Sequence, residues 1–404
     1  MKAKAAFCPD RPDRKPDKRF SAGNFKRSGS AGRREGGKGA RIMAHIDFSP
    51  DRFQRIREVY ADWWAGKGTR PVSGAIIRNR PPKGRVPKVG LPRQGNISLK
   101  VDPDDWLDAI EYEYSQYSFY GDAFPVYNLD IFGPGVLAEF LGAELENDTG
   151  LVWFHPKEDY DIRTLNFEPR EDSPWLSYIL EFCRRGWERF GGQLLLSMPD
   201  LGGVLDVLST FFPAERLLFE LYDHPEDVKR LSGQIARLWK VCYDRIAEAL
   251  HSREVGFTDW SMIYSDRPSY IIQCDFCYMI GNDMFKEFVL PDLTAQCKYL
   301  DNTIYHLDGP GELNHLQDIL AMPDLNAVQW VLGTGPEPCF DNQERVFSAI
   351  AEAGKGVMIY GYEAVDYYAA LTGKPGLILQ TQHVLPADRE NDARGWLKKW
   401  GIER

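Results

Sequence analysis

The chain has 404 residues, 43% of them hydrophobic and 13% aromatic, ample for one large core. Its net charge of −10 is unevenly spread: residues 1–42 carry 13 Lys/Arg and 4 Asp/Glu, a net of +9, which leaves −19 for residues 43–404. An acidic body of this kind does not hold nucleic acid by its overall field, and no run of about 18 apolar residues is present to span a membrane.

Residues 9–41 are Pro, Asp, Arg, Lys, Gly and Ser with almost nothing to bury, so residues 1–42 read as a disordered basic tail. Met43 is followed by Ala-His-Ile-Asp-Phe-Ser-Pro, which reads as a natural domain start. The tail is therefore expected to be an over-extended start or a segment without function, with no apolar core of a secretory signal. The domain is expected over 43–404. Seven dispersed cysteines, Cys8, Cys183, Cys242, Cys274, Cys277, Cys297 and Cys339, point to reduced thiols and a cytoplasmic setting.

Ser49-Pro50-Asp51 caps a first helix, with Phe53, Ile56, Val59 and Tyr60 as its apolar stripe. A strand is expected at 72–77, a Pro/Arg/Lys/Gly-rich loop at 79–95 and a helix at 103–119. Further strands are expected at 125–130, 193–198, 255–262, 303–307, 327–331, 356–360 and 377–381, which makes eight. Helical stretches separate most of them; in the clearest, 225–250, Pro225 starts the helix and Val228, Leu231, Ile235, Leu238, Val241 and Ile246 follow at helical spacing. Eight strands alternating with helices predict an α/β fold, a (β/α)8 TIM barrel. An extra segment at 143–170 is expected to form a small hairpin or insertion. An open doubly wound sheet is the alternative, but no Gly-x-Gly-x-x-Gly opens a strand–helix turn.

In such a barrel the carboxyl ends of the strands carry the chemistry. They offer Asn128, Asp130, Asp200, Asp259, Ser261, His306, Asp308, Gln329, Trp330, Tyr360, Tyr362, Gln380, Gln382 and His383. The most informative stretch is Tyr305-His306-Leu307-Asp308-Gly309-Pro310-Gly311. Alternate strand residues share a face, so His306 and Asp308 point at one site, and the Gly-Pro-Gly turn leads into the next helix. Asp130 and Asp259 read equally well as helix caps. Cys274-Asp275-Phe276-Cys277 lacks the second Cys pair of a structural zinc site. A mononuclear zinc would draw on His306 with Asp308, Cys274 or His383, and the sequence leaves the choice open.

Three stretches together resemble the uroporphyrinogen decarboxylase superfamily over about residues 49–403. The first is Cys274–Ile280 followed by Met284-Phe285-Lys286-Glu287-Phe288-Val289-Leu290-Pro291; the others are Tyr305–Gly311 and Ala327-Val328-Gln329-Trp330-Val331. The resemblance implies a (β/α)8 barrel and two chemistries. One is cofactor-free decarboxylation of a porphyrinogen. The other is methyl transfer between a corrinoid and a thiol activated by zinc. Where the methyltransferases carry His-x-Cys-Gly, this chain has His306-Leu307-Asp308-Gly309, and His383 stands near the place of a second Cys. The decarboxylases' arginine motif is replaced by Ile76-Ile77-Arg78-Asn79-Arg80.

The leading expectation is a methyltransferase-like enzyme acting with a corrinoid, a corrinoid protein or a small methylated substrate. Its metal would be held by His306, Asp308, Cys274 and His383, and its pocket lined by Tyr127, Gln329, Trp330 and Tyr360. The second is a tetrapyrrole decarboxylase, with Arg78 and Arg80 holding substrate carboxylates and Asp130 or Asp259 steering a proton. A third is a catalytically idle barrel that binds a corrinoid or a partner.

Overall fold

The computed structural model describes residues 45–168, 170, 173–332 and 342–403. All of these belong to the unit Met43–Arg404. The basic tail expected at 1–42, Cys8 and Cys339 lie outside the described residues.

The first helix, Pro50–Trp64, begins as its sequence dictates. The Ser49 side chain accepts the Arg52 amide, Pro50 occupies the first turn, and Ile56, Tyr60 and Trp63 are buried. The helix Pro225–Ala249 buries the stripe read from the sequence, among it Val228, Leu231, Ile235, Leu238 and Ile246. Val241, expected in that stripe, is instead 45% exposed.

The fold is mixed α/β. Twelve strands are named in chain order: β1 Gly74–Arg78, β2 Tyr117–Gly121, β3 Val126–Tyr127, β4 Glu144–Glu146, β5 Trp153–His155 and β6 Leu195–Leu196. They continue with β7 Ser269–Ile272, β8 Asn302–Asp308, β9 Ala327–Val331, β10 Gly356–Ile359, β11 Ile378–Gln380 and β12 Val384–Pro386. The centre is a five-stranded parallel sheet in the order β11-β10-β9-β8-β7. Its strands are almost wholly buried, as expected where helices cover both faces. Val72 bridges Leu379 in parallel, so the segment leading into β1 continues this sheet beyond β11. β3 and β6 form a separate parallel pair.

Three features depart from the sequence reading. The helix expected at 103–119 ends at Tyr114, and its last residues belong to β2. β1, the first of the eight expected strands, is flanked by β12 in parallel and by β2 in antiparallel, two strands that the eight-strand count did not contain. The strand expected at 255–262 is absent. Ser252–Val255 is a short helix, Gly256 has φ +103° and Met262 φ +60°, and Phe257 meets only Ser265 across an isolated bridge. A non-glycine residue in the left-handed region ends extended structure. The parallel partner of β8 is β7, immediately after Pro268. The extra segment at 143–170 does contain the expected hairpin, β4 paired with β5.

Candidate functional site

The β8–β9 register sets Ile304 opposite Ala327, His306 opposite Gln329 and Asp308 opposite Val331. On the other side Ile272 stands opposite Tyr305, so the chain leaving β7 emerges level with His306. There it makes the tight turn Asp275–Met279. Two neighbouring strands and one turn thus bring Asp275, His306 and Asp308 together, with one potential ligand atom from each lying within 4.8 Å of the others.

The site is electrically one-sided. His306 Nε2 lies 4.0 Å from Asp275 Oδ1. Burial pulls the imidazole below its usual value, so the ring is neutral near pH 7. Its Nδ1–H donates to the Gln329 side-chain oxygen, and Gln329 Nε2 donates in turn to the Tyr360 hydroxyl. This chain leaves Nε2 as an open lone pair facing the carboxylates. Asp275 is pushed up to about 6 by crowding from surrounding protein and by Asp308. Asp206 and Asp200 are each pushed up to about 7, by burial first and then by neighbouring acids. Among the described residues, no cation is one of the leading influences on Asp200, Asp206, Asp275 or His306.

Walls come from nearby elements. The Trp260 ring meets His306 edge to face, with centroids 5.2 Å apart. Trp260 is held there by its own turn: Asp259 is buried and accepts from Ser261 N, Ser261 Oγ and Ile271 N, and Asn128 Nδ2 donates to the Trp260 carbonyl. Tyr360 is 40% exposed and stacks on His383. Tyr278 is exposed and covers Gly311; a Cβ at 311 would sit 2.1 Å from its ring.

A fifth acid, Glu312, is close enough to feel Asp275 and Asp206. Glu312 is fully buried, accepts the Tyr305 hydroxyl at 3.0 Å on Oε2, and has no hydrogen-bond partner on Oε1 among the described residues. Burial pushes its carboxyl up to about 11, so it is protonated. Cys277 Sγ lies 3.7 Å from the same hydroxyl.

Several residues expected at the site stand elsewhere. Cys274 is buried and its thiol is pushed well above the usual value by burial, so it is protonated and outside the Asp275–His306–Asp308 group. His383 is exposed and outside that group, against Tyr360. Trp330 pairs in register with Leu307, on the opposite face of the sheet from His306. Tyr127 is buried and donates to the Pro92 carbonyl. Arg78 is held by Glu113 and Gln116, and Arg80 by Asp47 and Ser118. Asp259 forms a turn rather than facing a substrate. Asp130 is half-buried, its carboxyl raised by burial, and it lies outside the Asp275–His306–Asp308 group.

Asp275 and Trp260 were not among the expected site residues. Asp275 was read only as part of a loop able to reach the barrel mouth, in a motif weighed for its cysteines; nothing in the sequence marks Trp260.

No family model matches the sequence, and no curated protein matches it. Among solved structures, the fold is similar to that of a methyltransferase from Methanosarcina mazei, with a TM-score of 0.52 at 11% identity over 82% of this chain and 94% of the other. No helix among the described residues is long and apolar enough to cross a membrane, and the five cysteines described are free.

Proposed function

We propose that this chain is a methyltransferase-like enzyme whose site holds a divalent metal ion on Asp275, His306 and Asp308. The observation that carries the reading is the convergence of those three ligand atoms within 4.8 Å, with Nδ1 of the histidine already committed to Gln329. A metal-ligating histidine characteristically donates its second nitrogen in this way. Likeness of fold to a methyltransferase supports the reaction class.

One imidazole and two carboxylates are a fitting donor set for zinc, manganese or iron, harder than a thiolate set. When bound, such an ion lowers the pKa of a coordinated acceptor and makes it nucleophilic at neutral pH. The chain's own residues do the rest. Gln329 and Tyr360 orient His306, Trp260 walls the site, and Asp275 and Asp308 favour cationic or neutral groups over anionic ones. The methyl donor in this reading is a corrinoid, free or on a partner protein, or a small methylated molecule. We place the chain in the uroporphyrinogen decarboxylase superfamily on its three motifs, with its parallel strands closed as a (β/α)8 barrel and the protein working in the cytoplasm.

Decarboxylation of an acidic tetrapyrrole is the weaker reading. Arg78 and Arg80 are engaged by Glu113 and Asp47, and a polycarboxylate would meet acids at His306. An idle barrel is weaker still, since it gives the three converging ligands no task.

The test is metal analysis joined to a transfer assay. The purified protein is expected to retain, or to take up from added Zn2+ or Mn2+, about one ion per chain. His306→Ala and Asp308→Ala are expected to lose it, and the intact protein to demethylate methylcobalamin in the presence of a nucleophilic acceptor. A protein that binds neither ion overturns the metal site; a metal-loaded protein inert towards methyl donors overturns the methyltransferase reading.

A further inference from the structure

Asp275 differs from the other two ligands because it comes from a turn rather than a strand. Something must hold that turn, and the contacts name it. Asp206, in the first turn of the helix Val204–Phe211, accepts the Asp275 amide on Oδ2 at 3.1 Å and the Phe276 amide on Oδ1 at 2.7 Å. Both carboxylate oxygens are thereby spent on consecutive backbone N–H groups of the ligand-bearing turn. The junction is tight: a Cβ on Gly203 would lie 2.3 Å from Asp206 Oδ2 and 2.3 Å from the Gln273 carbonyl oxygen. The helix start therefore sits directly against the end of β7.

We propose that Asp206 is a positioning residue for the metal site, fixing the Asp275 carboxylate through the two amides of its turn. The proposal rests on the metal reading of that site. A carboxylate accepting two N–H groups aligns their peptide planes, and so the direction in which the Asp275 side chain leaves the backbone. Asp206 is half-buried, and the two amides it accepts belong to Asp275 itself and to the next residue, so its hold acts directly on the ligand-bearing backbone.

The test compares Zn2+ binding, by competition with a chromophoric chelator, in the intact protein, Asp206→Asn, Asp206→Ala and Asp275→Asn. Outer partners of metal ligands typically contribute 10–100-fold to affinity. Asp206→Asn keeps the shape but loses the charge and one of the two acceptors, since its NH2 can only donate; Asp206→Ala loses both acceptors. Both are expected to bind one ion about 10–100-fold more weakly, the alanine variant the weaker of the two. Amide hydrogen exchange at Asp275 and Phe276 in the metal-free protein gives a second readout and is expected to quicken in Asp206→Ala. If Asp206→Ala unfolds, the isosteric asparagine carries the comparison. Unchanged Zn2+ affinity in Asp206→Asn, beside a loss in Asp275→Asn, overturns the proposal and leaves the metal site standing. No Zn2+ binding by the intact protein overturns both.

Discussion

Gln329 faces His306 directly across β8 and β9, and the hydrogen bond between them decides which imidazole nitrogen stays open. Because the two residues are register partners, the bond is built into the sheet rather than left to a loop. Gln329 had the appearance of a substrate-binding group at a strand end. Its place is behind the histidine, with Tyr360 behind it in turn.

Gln329→Leu is therefore expected to preserve the fold and weaken metal binding. Loss of a partner of this type costs roughly 10–100-fold in affinity. Nitrogen NMR of His306 should show the ring losing its preference for the Nδ1–H form. An unchanged tautomer together with unchanged affinity would sink the idea that Gln329 sets the ligand.

Asp259 should behave as a structural residue. Replacing it with alanine leaves the Ser261 amide and hydroxyl and the Ile271 amide without their buried acceptor. One unsatisfied buried donor costs about 1–3 kcal/mol, so urea denaturation should show at least that loss. Asp259→Asn, which keeps an acceptor, should lose less. If alanine costs nothing in stability yet removes activity, Asp259 belongs to the chemistry after all.

Glu312 provides a prediction in pH. In the folded chain burial first, then Cys277, Asp275 and Asp206, push its carboxyl up to about 11, while Tyr305 pulls the other way; the ordinary value is 4.5. The folded state thus keeps a proton that the unfolded state gives up. Its contribution is fully present below about pH 4.5 and is lost as pH rises from there towards the folded value, with a limiting slope of about 1.4 kcal/mol per pH unit. Glu312→Gln keeps a neutral group of the same shape and should flatten the decline. Denaturation midpoints of the two proteins at pH 6 and pH 8 check this: a wild-type decline no steeper than the variant's would show that Glu312 is ionised in the fold.

Much of the fold was legible because buried parallel strands are written as short apolar runs. Seven of the eight expected strand segments overlap an observed strand, β9 with the same bounds. The eighth failed for a local reason. Residues 255–262 hold Val, Phe, Thr and Trp, good strand formers, but two backbone positions with positive φ and the Asp259 turn fold them back. The pair His306 and Asp308 was legible because strand periodicity is a rule about neighbours. Asp275, Trp260 and Asp206 lie 31, 46 and 100 residues before His306 in the chain. Only packing brings them near, and no spacing rule reports it.

The contact between Gly311 and Tyr278 reaches beyond this one chain. A side chain at 311 and a ring at 278 cannot occupy the same space. Among descendants of a common ancestor the two positions are therefore bound to drift as a pair: wherever glycine is replaced at the first, the aromatic at the second must shrink or turn away. An alignment of relatives, once assembled, would carry that signature as covariation between two sites 33 residues apart.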